Sequence, residues 1–463
     1  MRFYLLFFWL LAVTAAAQTS DSSFVVIQHI QLVGNHQTKS SIILRELDLH
    51  EGDTLRIAEA EERLEKDRRK VFNTNLFLSV KLSLTNQVAQ TADLQVEVKE
   101  QWFIFPFPVF RFADRNFNEW LFQRGADLSR SIYGVNFRHR NFRGRAEELR
   151  LNLEFGFAQF FEFFYRIPYL NKSQKTGVTF GVSYSDTKNL AYRTDLDKLT
   201  YLKSDDVLRK RFYANVLFRR RSKFYDFQYL ELRYTNTNLA DTVARFLNPN
   251  YFLNGSTNQR FWQLSYTYTY DFRDKAQYPL RGHYLFLQAN KYGLLTSDDL
   301  NQLDLLGRYS IYRPLGDKWF FQSTVGAKLS FPQHQPFSQT RGLGYGQDLV
   351  RGYELYAIDG QSYAYVRNTL RWQWINTAYD LKFLKIKQFN SFPLEVFPNL
   401  FVDAGQVWNG YAEMANSKLS NKFLIGGGVG LDFVMWYNAV MRLNYSFNAK
   451  GESGFRFNLL REF

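Results

Sequence analysis

The chain contains no cysteine, so disulfides, lipid-modified cysteine and thiolate chemistry are all excluded. Histidine is scarce as well. The six are His29, His36, His50, His139, His283 and His334, and no two have metal-ligand spacing. No Gly-x-Ser-x-Gly elbow occurs, which removes the local signature of a lipase-type hydrolase. Asp271 and Asp274 are close, but Arg273 lies between them, and a turn explains the trio better than paired catalytic carboxylates. No catalytic residue, metal or cofactor is expected. Long apolar runs are missing everywhere except at the extreme N-terminus, which argues against a helical membrane protein.

That one apolar stretch has a positive start at Arg2, an apolar core over 3–13 and an Ala-x-Ala end at 15–17. It reads as a secretory signal peptide over 1–17 and is too short to span a bilayer comfortably. Export without disulfides fits the envelope of a Gram-negative bacterium. Mean hydropathy is −0.35, yet aromatics reach 18% with 46 Phe and 29 Tyr. A membrane β-barrel reconciles the two, because only alternate residues meet lipid and aromatic girdles mark both interfaces. The charge is +14; loss of Arg2 with the signal leaves 14 − 1 = +13. Basic clusters at 66–70, 209–211 and 219–221 suit membrane rims and a lumen, with lipid or lipopolysaccharide phosphates or passing chains as partners rather than nucleic acid.

Residues 24–100 differ in character from the rest. A β-rich stretch over 25–33 ends at the turn signal Gly34-Asn35. Thr38 is placed to cap a helix running to Leu47, with Ile42, Ile43 and Leu47 on one face. A second helix is expected over 56–72, then strands over 76–84 and 93–98. The order is β-α-α-β-β.

From 101 to 463 short alternating strands recur. Trp262, Leu264, Tyr266, Tyr268 and Tyr270 alternate with Gln, Ser and Thr; Leu149, Leu151, Leu153 and Phe155 alternate with Arg150, Asn152 and Glu154; Leu443, Tyr445 and Phe447 alternate with polar residues. At roughly 22 residues per strand and connection, this stretch holds about 16 antiparallel strands. Period alone does not say which face meets water, since a sandwich shows the same alternation. The leader, the aromatic excess and the final Phe463 favour a transmembrane barrel preceded by one small α+β domain.

Four local patterns carry a resemblance. Asp271-Phe272-Arg273-Asp274 with Pro279 and Gly282 is similar to a D-x-R-D-x(4)-P-x-x-G strand and turn. Arg341 to Gly346 leads into Val350-Arg351-Gly352-Tyr353, similar to a VRG[FY] loop tip. Phe401-Val402-Asp403-Ala404-Gly405 resembles the F-x-D-x-G strand that faces such a tip. The glycines at 426–428 and 430, Gly428 among them, resemble a glycine-rich penultimate-strand region. In this order they resemble the BamA-type outer-membrane insertase/translocase superfamily, and residues 24–100 resemble its periplasmic POTRA module. The resemblance implies a long loop folded into the lumen and locked by Arg351, Gly352, Tyr353 and Asp403. It also implies structural roles for Asp271, Arg273, Asp274, Gly282, Gly405 and Gly428, and an assembly signal at Phe463. An arginine fork matched to a carboxylate is strong enough to hold such a loop.

The implied function is assisted insertion of β-barrel proteins, or translocation of polypeptides, at the outer membrane. The partners would be unfolded outer-membrane or secreted clients and lipopolysaccharide, with accessory proteins or further copies of the chain. A single module suits a specialised factor. The alternatives are a dedicated exporter, which in this family normally carries a second module and a plug helix, and a solute-conducting pore.

Overall fold

The computed structural model describes residues 24–112, 128–171, 175–223, 225–275, 277–380, 391–413, 416–435 and 439–460. The expected leader and Phe463 lie outside the described residues. Contacts divide the chain into two units: residues up to 104 together with 139–147, and the remainder.

The first unit contains β1 (Phe24–Val33), α1 (Ser40–Leu44), β2 (Thr54–Arg56), α2 (Ile57–Phe72), β3 (Phe77–Val88) and β4 (Thr91–Glu100). The sheet order is β2-β1-β4-β3. β1 and β4 run parallel, with the two helices in the crossover. Ile27, Ile43, Val71, Leu94 and Val96 are fully buried in its core. The anticipated cap at Thr38 is not made: α1 begins one residue later, at N-cap Lys39, and has no side-chain cap. Thr38 is instead buried, its hydroxyl accepting from Asn141 Nδ2 at 2.9 Å, and the Glu100 carboxylate takes the Gln37 and Thr38 amides. The strand β2 was not foreseen, because three residues carry no readable period. Asp67, wholly buried on α2, binds the Asp48 and Leu49 amides at 2.9 and 3.0 Å.

The second unit is a wall of antiparallel strands. It begins with β5 (Ile104–Phe112), β6 (Ser131–Phe142), β7 (Glu147–Gly156), β8 (Phe160–Ile167) and β9 (Thr176–Thr187). A separate hairpin follows, β10 (Asn189–Asp195) with β11 (Lys198–Lys203). The wall resumes with β12 (Arg209–Arg221), β13 (Asp226–Leu239), β14 (Asn258–Asp271), β15 (Gly282–Tyr292), β16 (Gln302–Pro314) and β17 (Trp319–Phe331). It ends with β18 (Ser362–Trp372), β19 (Ile375–Asp380), β20 (Ser391–Trp408), β21 (Phe423–Val434), β22 (Val440–Asn448) and β23 (Ser453–Leu460). Seventeen segments close into a barrel in which β23 neighbours β5. β18 and β19 both pair with β20, from Arg371↔Asn399 to Ile375↔Val396. Four steps on one side match three on the other, so the two are a single strand broken by a bulge. Among the described residues the wall therefore has 17 − 1 = 16 strands.

Alternation has the sense expected of a membrane wall. Leu443, Tyr445 and Phe447 are 41%, 40% and 54% exposed, whereas Asn444, Ser446 and Asn448 are buried. Apolar side chains face outward and polar ones line the lumen. The connections at 143–146, 222–225 and 315–318 lie at one end, and the long ones at 188–208, 240–257, 332–361 and 409–422 lie at the other, beside shorter ones at 157–159 and 449–452. The glycine-rich strand β21 is third from the end rather than penultimate, because two short strands, β22 and β23, follow it.

Candidate functional site

Lumen-facing positions on β18, β20 and β21 form a continuous strip, fixed by the pairs Thr369↔Phe401 and Asp403↔Gly426. The loop 332–361 between β17 and β18 places Arg351 on that strip. The Arg351 guanidinium donates from Nε to Asp403 Oδ2 at 2.8 Å and from Nη2 to Asp403 Oδ1 at 2.6 Å. Its own backbone amide adds a third bond to Oδ2 at 3.0 Å. Nη2 also reaches Thr369 Oγ1 at 3.0 Å, and the guanidinium stacks 4.0 Å from the Phe401 ring centroid. Asp403 is wholly buried. A planar fork, a carboxylate and a ring face thus satisfy the cation on several sides at once.

Glycine makes the approach possible. A Cβ at Gly426 would lie 1.8 Å from the Arg351 carbonyl oxygen. At Gly405 it would lie 2.8 Å from Val350 Cγ2, and at Gly428 it would strike the Phe401 ring at 2.7 Å. The wall is therefore hollowed by one side chain at each point where the tip or its supporting ring touches it. Gly352 has φ +96°, a conformation that strongly favours glycine. Tyr353 is 3% exposed and packs in a cluster with Val350, Leu343, Tyr365 and Leu424.

Beyond the tip, the loop reaches the last two strands. Asn448 Nδ2 on β22 donates to the Gly352 carbonyl at 2.9 Å. Arg456 on β23 lies 3.6 Å from Glu354, whose carboxylate also accepts the Gly352 amide. Tyr356 donates to Glu452 at 2.6 Å and receives Lys450 Nζ at 2.9 Å. Nothing in the local sequence marked Glu354 or Arg456, because their partnership depends on register. Above the tip the long connections bond to one another. The Asp197 carboxylate, at the β10–β11 turn, accepts the Lys418 and Leu419 amides at 2.8 and 3.0 Å, and its carbonyl accepts the Ala357 amide.

The Asp271–Gly282 pattern forms the β14–β15 connection. Arg273 folds back on Asp271 through two bonds of 2.7 Å, and Asp274 Oδ1 caps the turn by accepting the Leu280 amide at 3.0 Å. A side chain at Gly282, φ +101°, would collide with the Phe272 carbonyl oxygen. What the sequence concealed is Tyr278. It is 2% exposed and donates to Asp432 Oδ2 on β21 at 2.8 Å. The Arg371 guanidinium lies 4.4 Å over its ring and donates to the Pro279 carbonyl at 3.0 Å. Asp432 in turn has Arg442 and Arg371 at 3.8 and 4.0 Å. A turn at the short-connection end thus grips the same wall that receives Arg351 from the other.

Two family models match the sequence. Residues 25–101 match the surface antigen variable number repeat, the POTRA module, and residues 141–463 match the Omp85 superfamily domain. No curated protein is matched. Among solved structures, the fold is similar to BamA from Haemophilus ducreyi lacking POTRA domains 1–3, with a TM-score of 0.61 and 17% identity over 94% of this chain and 84% of that one. It is also similar to CdiB from Escherichia coli, at 0.57 and 14% over 94% and 75%. CdiB from Acinetobacter baumannii gives 0.51 and 13% over 94% and 73%. A closed wall of antiparallel strands, a preceding POTRA module and a family match across most of the barrel agree: the chain belongs to the Omp85 superfamily, outer-membrane barrels with periplasmic POTRA domains that insert outer-membrane proteins or translocate polypeptides.

Proposed function

We propose that this protein is a non-enzymatic insertase whose clients are unfolded outer-membrane barrel proteins, working at the seam between β5 and β23. The observation that carries this is the reach of the lumen loop. Arg351 and Asp403 lock the tip, while Asn448 and Arg456 tie the same segment to β22 and the closing strand β23. A lock joined to the closing strand is suited to controlling whether that strand stays in place. The POTRA sheet has β3 as its longer edge strand, a surface on which a client segment adds by β-augmentation before reaching the seam. Lipopolysaccharide and an accessory protein or a second copy of the chain are the partners that would assist it there. The loop inside the lumen and the interlocked connections disfavour a free solute channel.

The test is reconstitution in liposomes with an unfolded barrel protein, following its rate of insertion. The intact protein should accelerate insertion. Arg351→Ala and a variant lacking 24–100 should both lose most of the acceleration, and Arg351→Lys should restore only part, because an ammonium lacks the fork. Ion conductance without acceleration would overturn the insertase reading in favour of a pore.

A further inference from the structure

Four of the long connections, at 188–208, 240–257, 332–361 and 409–422, enclose a cavity of about 270 Å³. The residues that lock the loop tip are not part of its lining. Hydrogen bonds between connections brace its walls. The Phe337 amide donates to the Asn250 carbonyl at 2.9 Å, and Asn409 Nδ2 donates to the Asp359 carbonyl at 3.1 Å. Membrane barrels carry their longer connections on the extracellular side, so the cavity faces the outside of the cell. Its size lies just below the range of roughly 300–1,000 Å³ for small-molecule pockets, which suits a single ring.

The floor is polar and incompletely paired. Asp359 is 2% exposed, and its carboxylate is met by the Tyr345 hydroxyl rather than by a cation. Gln335, 7% exposed, donates from Nε2 to Ser330 Oγ and to the Pro332 carbonyl, each at 2.7 Å. Its Oε1 is buried and has no hydrogen-bond partner among the described residues. A buried acceptor without a donor calls for a water or a ligand hydroxyl. The rim is aromatic. His334 and Tyr411 are exposed, with ring centroids 5.2 Å apart, and Phe337 adds a third ring to the lining. Arg193 lines the same cavity, so charges of both signs are present.

Each feature excludes a class of ligand. A hydrocarbon would leave the floor acceptors stranded. An inorganic anion would meet the Asp359 carboxylate, and a compact cation the Arg193 guanidinium. A sugar ring meets every condition: its hydroxyls supply donors to Asp359 and Gln335, and its C–H face lies against the exposed rings. We propose that the cavity is a saccharide-binding site for one pyranose unit, with Asp359 and Gln335 as acceptors and Tyr411 and His334 as the stacking face. Sugars reach this side of the membrane from two sources, the headgroup polysaccharide of outer-leaflet lipid and glycans free in the medium. Both present the same chemistry to the cavity.

The test is a titration followed by saturation-transfer NMR, on the full chain in a detergent without a sugar headgroup. Maltotriose and chitotriose serve as free glycans, and delipidated lipopolysaccharide as the lipid-derived probe. Binding of any of them is expected, and the tighter class assigns the source. Tyr411→Ala should weaken binding about tenfold, whereas Tyr411→Phe should retain it, because stacking needs the ring and not the hydroxyl. Asp359→Asn turns an acceptor into a donor and should weaken binding comparably; the exposed Tyr411 variants decide the matter if it folds poorly. Amide exchange over 334–340 should slow when the bound probe is present, which locates the site. No binding of any probe overturns the proposal, and the cavity then holds water alone. Binding that Tyr411→Ala leaves unchanged, or that leaves exchange over 334–340 unaltered, overturns it equally.

Discussion

The strands β4 and β22 are written in the same code and obey it in opposite senses. On β4, Leu94, Val96 and Val98 are 0%, 0% and 4% exposed, and polar residues alternate with them outward. On β22, Leu443, Tyr445 and Phe447 are exposed and Asn444, Ser446 and Asn448 are buried. A period of two fixes that a strand has two faces; the medium on each side fixes which is which. In the POTRA domain water collects the polar face and the apolar face makes a core. In the barrel lipid collects the apolar face, and the polar face must satisfy itself across the lumen. Charges such as Asp403 and Asp432 therefore line the interior of the barrel, whereas the interior of the small domain is mainly apolar, with Asp67 buried among it against two backbone amides.

The largest break in that comparison should come from the lumen. Asp403→Ala strands the Arg351 cation and should destabilise the folded barrel by ~3–5 kcal/mol, read as a lower denaturant midpoint in detergent. A double variant with Arg351→Ala should recover much of the loss, and no recovery would mean that the two are not coupled. In the POTRA domain Leu94→Ala should cost ~2–5 kcal/mol through the cavity it leaves, measured as loss of amide protection in β1, β3 and β4, with the barrel unaffected. The outward face sharpens the contrast: Val429→Arg, on β21 and half exposed, should cost ~2–4 kcal/mol in a bilayer if it lies near the midplane. The cost should shrink for Ser453→Arg near a strand end.

The smallest effect belongs to a surface charge. The Asp48 carboxyl is held below its usual value of 3.8, first by its hydrogen bond to Lys70 and further by Lys66, against partial desolvation. A lowered carboxyl contributes stability above the unfolded value and loses it as pH falls through the folded one. Asp48→Asn should therefore destabilise the POTRA domain at pH 7 by no more than ~0.5 kcal/mol, because the pair is exposed. The difference should shrink as pH falls below 3.8 and through the lowered folded value, read in paired thermal melts.

Legibility followed distance along the chain. The alternation of β14 and β22 and the glycine gaps at Gly405 and Gly428 are local patterns, and the wall of sixteen strands follows from them. Arg351 and Asp403 stand 52 positions apart; the VRG and F-x-D-x-G patterns and the resemblance they carried pointed to this pair, and the structure brings the two side chains into contact. Tyr278 was not read because its partner, Asp432, lies 154 positions away and a tyrosine after a turn is unremarkable by itself. The Glu354–Arg456 pair depends on the register of the last strand, which no short window determines. Thr38 shows the opposite failure: its capping signature was genuine, but a buried amide, Asn141, made a better claim on its hydroxyl.

Arg351 arrives from one end of the barrel and Tyr278 from the other, and both end on β18, β20 and β21. In mechanical terms these strands are riveted near both rims, so that part of the wall bends as a stiff plate. A lateral load at the seam therefore meets unequal compliance. The plate resists curvature, and deformation passes to strands that neither rivet holds, β6 to β9 among them. The barrel would widen on one flank only, like a cuff that opens beside its clasp.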